Sequence, residues 1–177
     1  MRHALTLAIT GFLGACAPAV QLPQRSCPDA STAEGAVCSF YERYLELRPS
    51  GLPTAEQQAA LAPWFSERLE RGMDAAREVQ TVFRSEHPDE KPPLVDGCLF
   101  ASLFEGPTTF AIGTAVSAGD TTRVPVRFRY GTDVEWQDEI VVTREGDRFV
   151  IDDIEFAGAG PFNPAGRLSE VLQQSGQ

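Results

Sequence analysis

Apolar and polar residues alternate in four successive runs between positions 108 and 156, and this pattern sets the frame for the rest of the chain. The clearest run places Thr122, Val124, Val126, Phe128 and Tyr130 on one side and Arg123, Pro125, Arg127 and Arg129 on the other. A period of two over that length predicts a strand with one buried and one wet face. A strand over 108–117 is expected before it, with Phe110, Ile112 and Val116 together. The third run sets Val134, Trp136, Asp138, Ile140 and Val142 against Glu135, Gln137 and Glu139, and the fourth, 148–156, is apolar on both sides. Short Gly/Asp turns at 118–120, 131–133 and 145–147 join them into an antiparallel meander. Arg127 and Arg129 are expected to face Glu135 and Glu139 on its outer side.

Such a sheet needs a layer across its apolar face, and the first half of the chain supplies helices. Val37, Phe40, Tyr41, Tyr44 and Leu45 recur at three and four residues after a start at Ser31 and Thr32, and Pro49-Ser50-Gly51 ends that helix. Thr54 and Gln57 match a capping box for a short helix to Leu61. Ser66 then opens a longer helix, to about Arg84, with Leu69, Met73, Ala76, Gln80 and Phe83 inward and charges outward. After Gly160, Asn163-Pro164 predicts the cap of a last short helix carrying Leu168, Val171 and Leu172. The fold class expected is α+β: a strongly bent antiparallel sheet packed on N-terminal helices.

The first residues change the picture. A basic start at Arg2 and His3, an apolar run of about ten residues and the tetrapeptide Leu13-Gly14-Ala15-Cys16 fit an export signal too short to span a membrane. The tetrapeptide resembles a bacterial lipobox, which implies cleavage before Cys16 and lipid on its sulfur. The expected division is signal 1–15, tether 16–30 and one α+β domain 31–174. Ala17 after the cysteine favours the outer membrane, facing the periplasm. A formal net charge of −10 in 177 residues argues against nucleic acid and against a polybasic lipid-binding surface.

Export exposes the remaining cysteines, Cys27, Cys38 and Cys98, to an oxidising compartment. One disulfide and one spare thiol is the simplest arrangement. Cys27–Cys98 is the favoured pairing, with Cys38–Cys98 close behind, each closing a long loop. No Cys-x-x-Cys spacing occurs, and His87 stands as the one histidine after the signal, in a polar loop, so neither metal nor cofactor is expected. Neither a Gly-rich phosphate loop nor a Gly-x-Ser-x-Gly elbow is found.

The Phe40-Tyr41 and Tyr44-Leu45 helix face, the segment 92–107 and the ending Arg148-Phe149-Val150-Ile151-Asp152-Asp153-Ile154 together resemble a family of uncharacterised bacterial lipoproteins, a domain of unknown function. That family is similar to the nuclear-transport-factor-2-like, or SnoaL-like, cone fold. The resemblance spans about 31–172 and implies a bent sheet around helices, often with a pocket between them. Cys98 stands where such proteins are expected to carry an acidic or small residue, a departure that supports its use in a disulfide. Cone folds of this class often dimerise through the outer sheet face. Here the charges on that face favour a monomer.

Asp138, Asp152 and Asp153 fall among apolar strand residues, where an unpartnered carboxylate costs several kcal/mol. Three fates are open: structural anchors bonded to backbone or tyrosine donors, water-exposed groups at a bend, or acid/base groups in a pocket lined by Tyr41, Tyr44 and Trp136. Isomerases of the cone fold pair an acidic residue with tyrosines, which the resemblance extends to these positions. The function expected is a lipid-anchored, non-catalytic binding or protective module for an envelope protein or a small apolar ligand. The alternatives are a small-pocket isomerase or hydrolase using a buried Asp, and a periplasmic immunity-type protein.

Overall fold

The structure is a computed structural model that describes residues 27–158 and 165–174. Cys16, the signal and the expected cap at Asn163-Pro164 lie outside the described residues.

Among the described residues four helices and a six-stranded antiparallel sheet form an α+β fold, and the sheet is not closed. Helix α1 (Ala33–Leu47) starts where Thr32 accepts the Gly35 amide, and Arg48 closes it in the left-handed region. Helix α2 (Ala55–Leu61) begins with the capping box of Thr54 and Gln57, and a 3₁₀ turn (Ala62–Trp64) carries the chain past Pro63. Ser66 caps α3 (Glu67–Glu86) by accepting from Leu69 N. The strands are β1 (Thr109–Ile112), β2 (Val116–Ala118), β3 (Thr121–Tyr130), β4 (Val134–Glu145), β5 (Arg148–Phe156) and β6 (Gly166–Arg167). They run in the order β1-β3-β4-β5-β6, and β2 also pairs with β3. A last helix, α4 (Leu168–Gln174), follows β6.

The expected first strand is two strands. Ile112 pairs with Val126 and Val116 with Arg123, so three residues lie opposite Val124 and Pro125. Pro125 has no amide to donate, and its carbonyl accepts instead from Gly113 N at 2.7 Å. The remaining alternation holds through the middle of the strands, where Val124, Val126, Phe128, Trp136, Asp138, Ile140 and Val142 are all buried, but Tyr130 and Val134 at the β3–β4 turn and Val116, all expected inward, are exposed. On the outer face Arg129 pairs with Glu135, while Arg127 sits opposite Gln137.

Strand β5 is apolar on both sides because of a bulge. Val141 pairs with Asp153 and Val142 with Ile151, which leaves Asp152 as the inserted residue. The far edge of β5 is covered by β6 at Glu155 and Phe156 and by Phe65 at Ile151, where Ser66 N donates to Ile151 O at 2.9 Å. A covered edge cannot template further strands.

The disulfide corrects both expected pairings. Cys27 bonds Cys38, with Cα atoms 5.5 Å apart, and Cys98 is free. Asp29 O receives the Thr32 amide at 2.9 Å, which folds the chain entering α1 back along the helix, so Cys27 reaches the second turn. Cys98 packs against Tyr44 instead, six residues on from Cys38 and so about 240° around the helix. The closed loop is short, and its entropic contribution is roughly 3 kcal/mol rather than the 4 of a long loop.

Candidate functional site

The space between α1 and the sheet is where the sequence places a pocket. Eight aromatic side chains occupy it. Phe40 packs on Tyr41 at 4.9 Å between ring centroids and on Phe65 and Phe100 at 5.5 Å. Tyr41 reaches Phe128 at 4.9 Å and Phe110 at 5.6 Å, Tyr44 meets Phe100 at 5.8 Å, and Phe128 stacks on Trp136 at 5.4 Å. These are contact distances for offset and edge-to-face rings, so the rings fill the volume between them. The buried Tyr41 hydroxyl donates to Phe100 O at 2.8 Å, and burial pushes its pKa well up.

The three aspartates are spoken for. Asp138, fully buried, accepts from Ser102 N at 2.8 Å, from the Ser102 hydroxyl, from Trp136 Nε1 at 3.1 Å and from Ala157 N at 3.1 Å. Four donors saturate the carboxylate and tie the 100–104 loop and the end of β5 to β4. Asp153 accepts from Ile154 N, from Ser169 N at 3.0 Å and from the Ser169 hydroxyl at 2.7 Å, and so fixes the start of α4. Asp152 receives the Ser66 hydroxyl at 2.7 Å and both Arg68 Nε and Nη2, the latter at 2.7 Å. Burial works against its charge, but the Arg68 and Ser66 hydrogen bonds outweigh it and hold the carboxyl below the usual range. Arg167 and Arg123 extend this network through Glu155. Among the described residues no buried side-chain nitrogen or oxygen lacks a partner. Of the sequence-stated fates, the anchor describes all three groups, with side-chain and backbone donors in place of tyrosines.

Among the described residues several surface depressions stay open, including one of about 510 Å³ over Arg127, Arg129 and Glu135 on the outer sheet face, and two others bear on function. The first is a cleft of about 270 Å³ around Cys98. There the Tyr44 hydroxyl and the Cys98 sulfur lie 3.0 Å apart, and burial pushes both groups up in pKa. A thiol held protonated is a poor nucleophile at neutral pH. The second is a groove of about 920 Å³ along the outer side of α3. Ala75, Val79, Val82 and Phe83 line it from the helix, and Pro93 from the following loop. Val82 is 53% exposed.

The groove was not expected, because α3 reads as one inward stripe and a charged exterior. Phe83, expected inward, is only half-buried and packs on His87 at 4.8 Å between centroids. The signal was present. Ala75, Val79 and Val82 sit at spacings of four and three beside the core stripe Leu69, Met73, Ala76 and Gln80, which makes a second apolar face. Comparison with family models, with curated proteins and with solved structures finds no match for this chain.

Proposed function

We propose that this chain is a lipid-anchored cell-envelope protein, held to the membrane through Cys16 and related to the cone-fold lipoproteins that it resembles, and that it acts as a monomer by binding another protein. The sequence 13–16 supports the anchor. The binding reading rests on one observation: the space that an enzyme of this fold would use is packed with rings, and Asp138 accepts from four donors while Asp152 and Asp153 accept from three each. Carboxylates engaged in this way are structural anchors, whereas general acid/base work needs one aimed at a substrate. What the molecule offers instead is an apolar groove on its surface, the kind of feature that marks a protein interaction site.

Native mass spectrometry of the chain extracted gently from cell envelopes tests both halves. The expected species begins at an acylated Cys16 and carries a protein partner. A chain without acylation contradicts the anchor, and a chain carrying a small molecule in place of a protein contradicts the binding reading.

A further inference from the structure

The groove on α3 has a charge pattern that specifies an occupant. Its lysine is already matched: Lys91 pairs with Asp96, and the His87 ring faces Glu90 at 3.4 Å. Its two acids, Glu78 and Glu86, make no ion pair among the described residues, and both are exposed. They are eight residues apart, about 12 Å along the helix. Helical geometry puts Glu78 at one margin of the apolar stripe and Glu86 at its C-terminal end. The stripe between them, Ala75, Val79, Val82 and Phe83, extends over more than two turns.

We infer that this groove docks an amphipathic helix of a partner protein, one whose apolar stripe is flanked by basic side chains. The inference rests on the binding function proposed above and names its site. Helix-in-groove recognition uses apolar anchors at three- and four-residue spacing, which is the spacing the groove presents. The unpaired carboxylates select cations at the margin and reject acidic helices. A second copy of this chain fits poorly, since antiparallel pairing of two α3 helices sets Glu78 against Glu86 of the other copy. An anionic membrane surface is disfavoured by the same two charges. A small apolar ligand would keep one side in water, because one face of α3, the 87–93 loop and Gln174 at the end of α4 leave the groove open.

The test uses the full lipidated chain in zwitterionic nanodiscs and two fluorescein-labelled helices of about five turns, one with a leucine stripe flanked by lysine and one flanked by glutamate. Fluorescence anisotropy at physiological salt reads the affinities. The Leu/Lys helix is expected to bind and the Leu/Glu helix to fail. Val82→Lys, at an exposed position that leaves the fold intact, is expected to weaken binding about tenfold or more, as loss of a central anchor does. Glu78→Lys with Glu86→Lys is expected to reverse the preference between the two helices. Asp133→Lys with Asp147→Lys makes the same charge change at the sheet turns and is expected to leave binding within about twofold. Unchanged binding by Val82→Lys, or an equal loss in the Asp133/Asp147 variant, overturns the inference. A photoreactive residue placed at Val82 or at Gln137 in intact cells separates it from the broader proposal. A protein adduct at Gln137 and none at Val82 overturns the groove and leaves the binding function standing, while no adduct at either position overturns both.

Discussion

Replacing Asp138 by asparagine tests whether the buried carboxylate is a structural anchor. Its Oδ2 takes Ser102 N and Trp136 Nε1, and its Oδ1 takes the Ser102 hydroxyl and Ala157 N. An asparagine oxygen can keep the first pair. Its amide nitrogen then occupies the Oδ1 site, where the Ser102 hydroxyl can rotate to accept but Ala157 N–H cannot. Losing the acceptor of this part-buried amide costs about 0.5–1 kcal/mol, and each of the three bonds that fall from charge-assisted to neutral costs about a further 0.5–1. The expected total is about 2–4 kcal/mol, a large part of the ~5–15 available to a domain of this size. With an m-value of about 2 kcal/mol/M in urea, the midpoint falls by about 1–2 M. Urea titration followed by far-UV circular dichroism measures it. Ser102→Ala, which removes the hydroxyl's bond to Asp138 and its longer bond from Gly158 N, should cost about 1–2 kcal/mol, and the double variant should show strong coupling. A cost for Asp138→Asn below about 0.5 kcal/mol would refute the saturated geometry and return Asp138 to the list of groups free to do chemistry.

Further outcomes follow from the same structure. A non-reducing tryptic digest should yield peptide 26–43 unalkylated and lighter by two hydrogens, with the alkyl label on Cys98; a label on Cys38 would instead support a Cys27–Cys98 bond. Folded Cys98 should react with iodoacetamide at pH 8 at least about tenfold more slowly than in urea, because burial raises its thiol pKa, and equal rates would contradict that placement. Asp152 has a lowered folded-state pKa, so its contribution is present above the unfolded value, about 3.9, and is lost as pH falls through the folded value. Arg68→Met should therefore cost about 1 kcal/mol at pH 7 and flatten the acid limb of a stability–pH profile, and an unaltered slope would count against the pair.

Local pattern made most of the fold legible. Alternation identified β3 and β4 with their inward faces, and the caps at Thr32, Thr54 and Ser66 are where side-chain chemistry put them. The errors come from places where distant residues decide. The break between β1 and β2 is set by the missing amide of Pro125 in a neighbouring strand, which no reading of 108–117 alone contains. The two-sided apolar character of β5 comes from a bulge at Asp152, and the alternation there signalled oddity without its cause. Cysteine pairing is a tertiary property, and the expected Cys27–Cys98 bond was favoured because it would pin the end of the tether to the domain. The aspartates were correctly picked out as costly, but beside the local donors Trp136 and Ile154 their partners are Ser66, Arg68, Ser102, Ala157 and Ser169, at least 16 residues away in sequence.

The proposed binding function requires a filled interior. A crystal of the domain under xenon pressure tests that directly, since xenon enters apolar cavities and leaves packed cores empty. No xenon is expected among Phe40, Tyr41, Phe100, Phe128 and Trp136. A xenon atom bound among those rings beside Asp138 would reveal a small pocket there, and would make a buried-carboxylate enzyme the better reading.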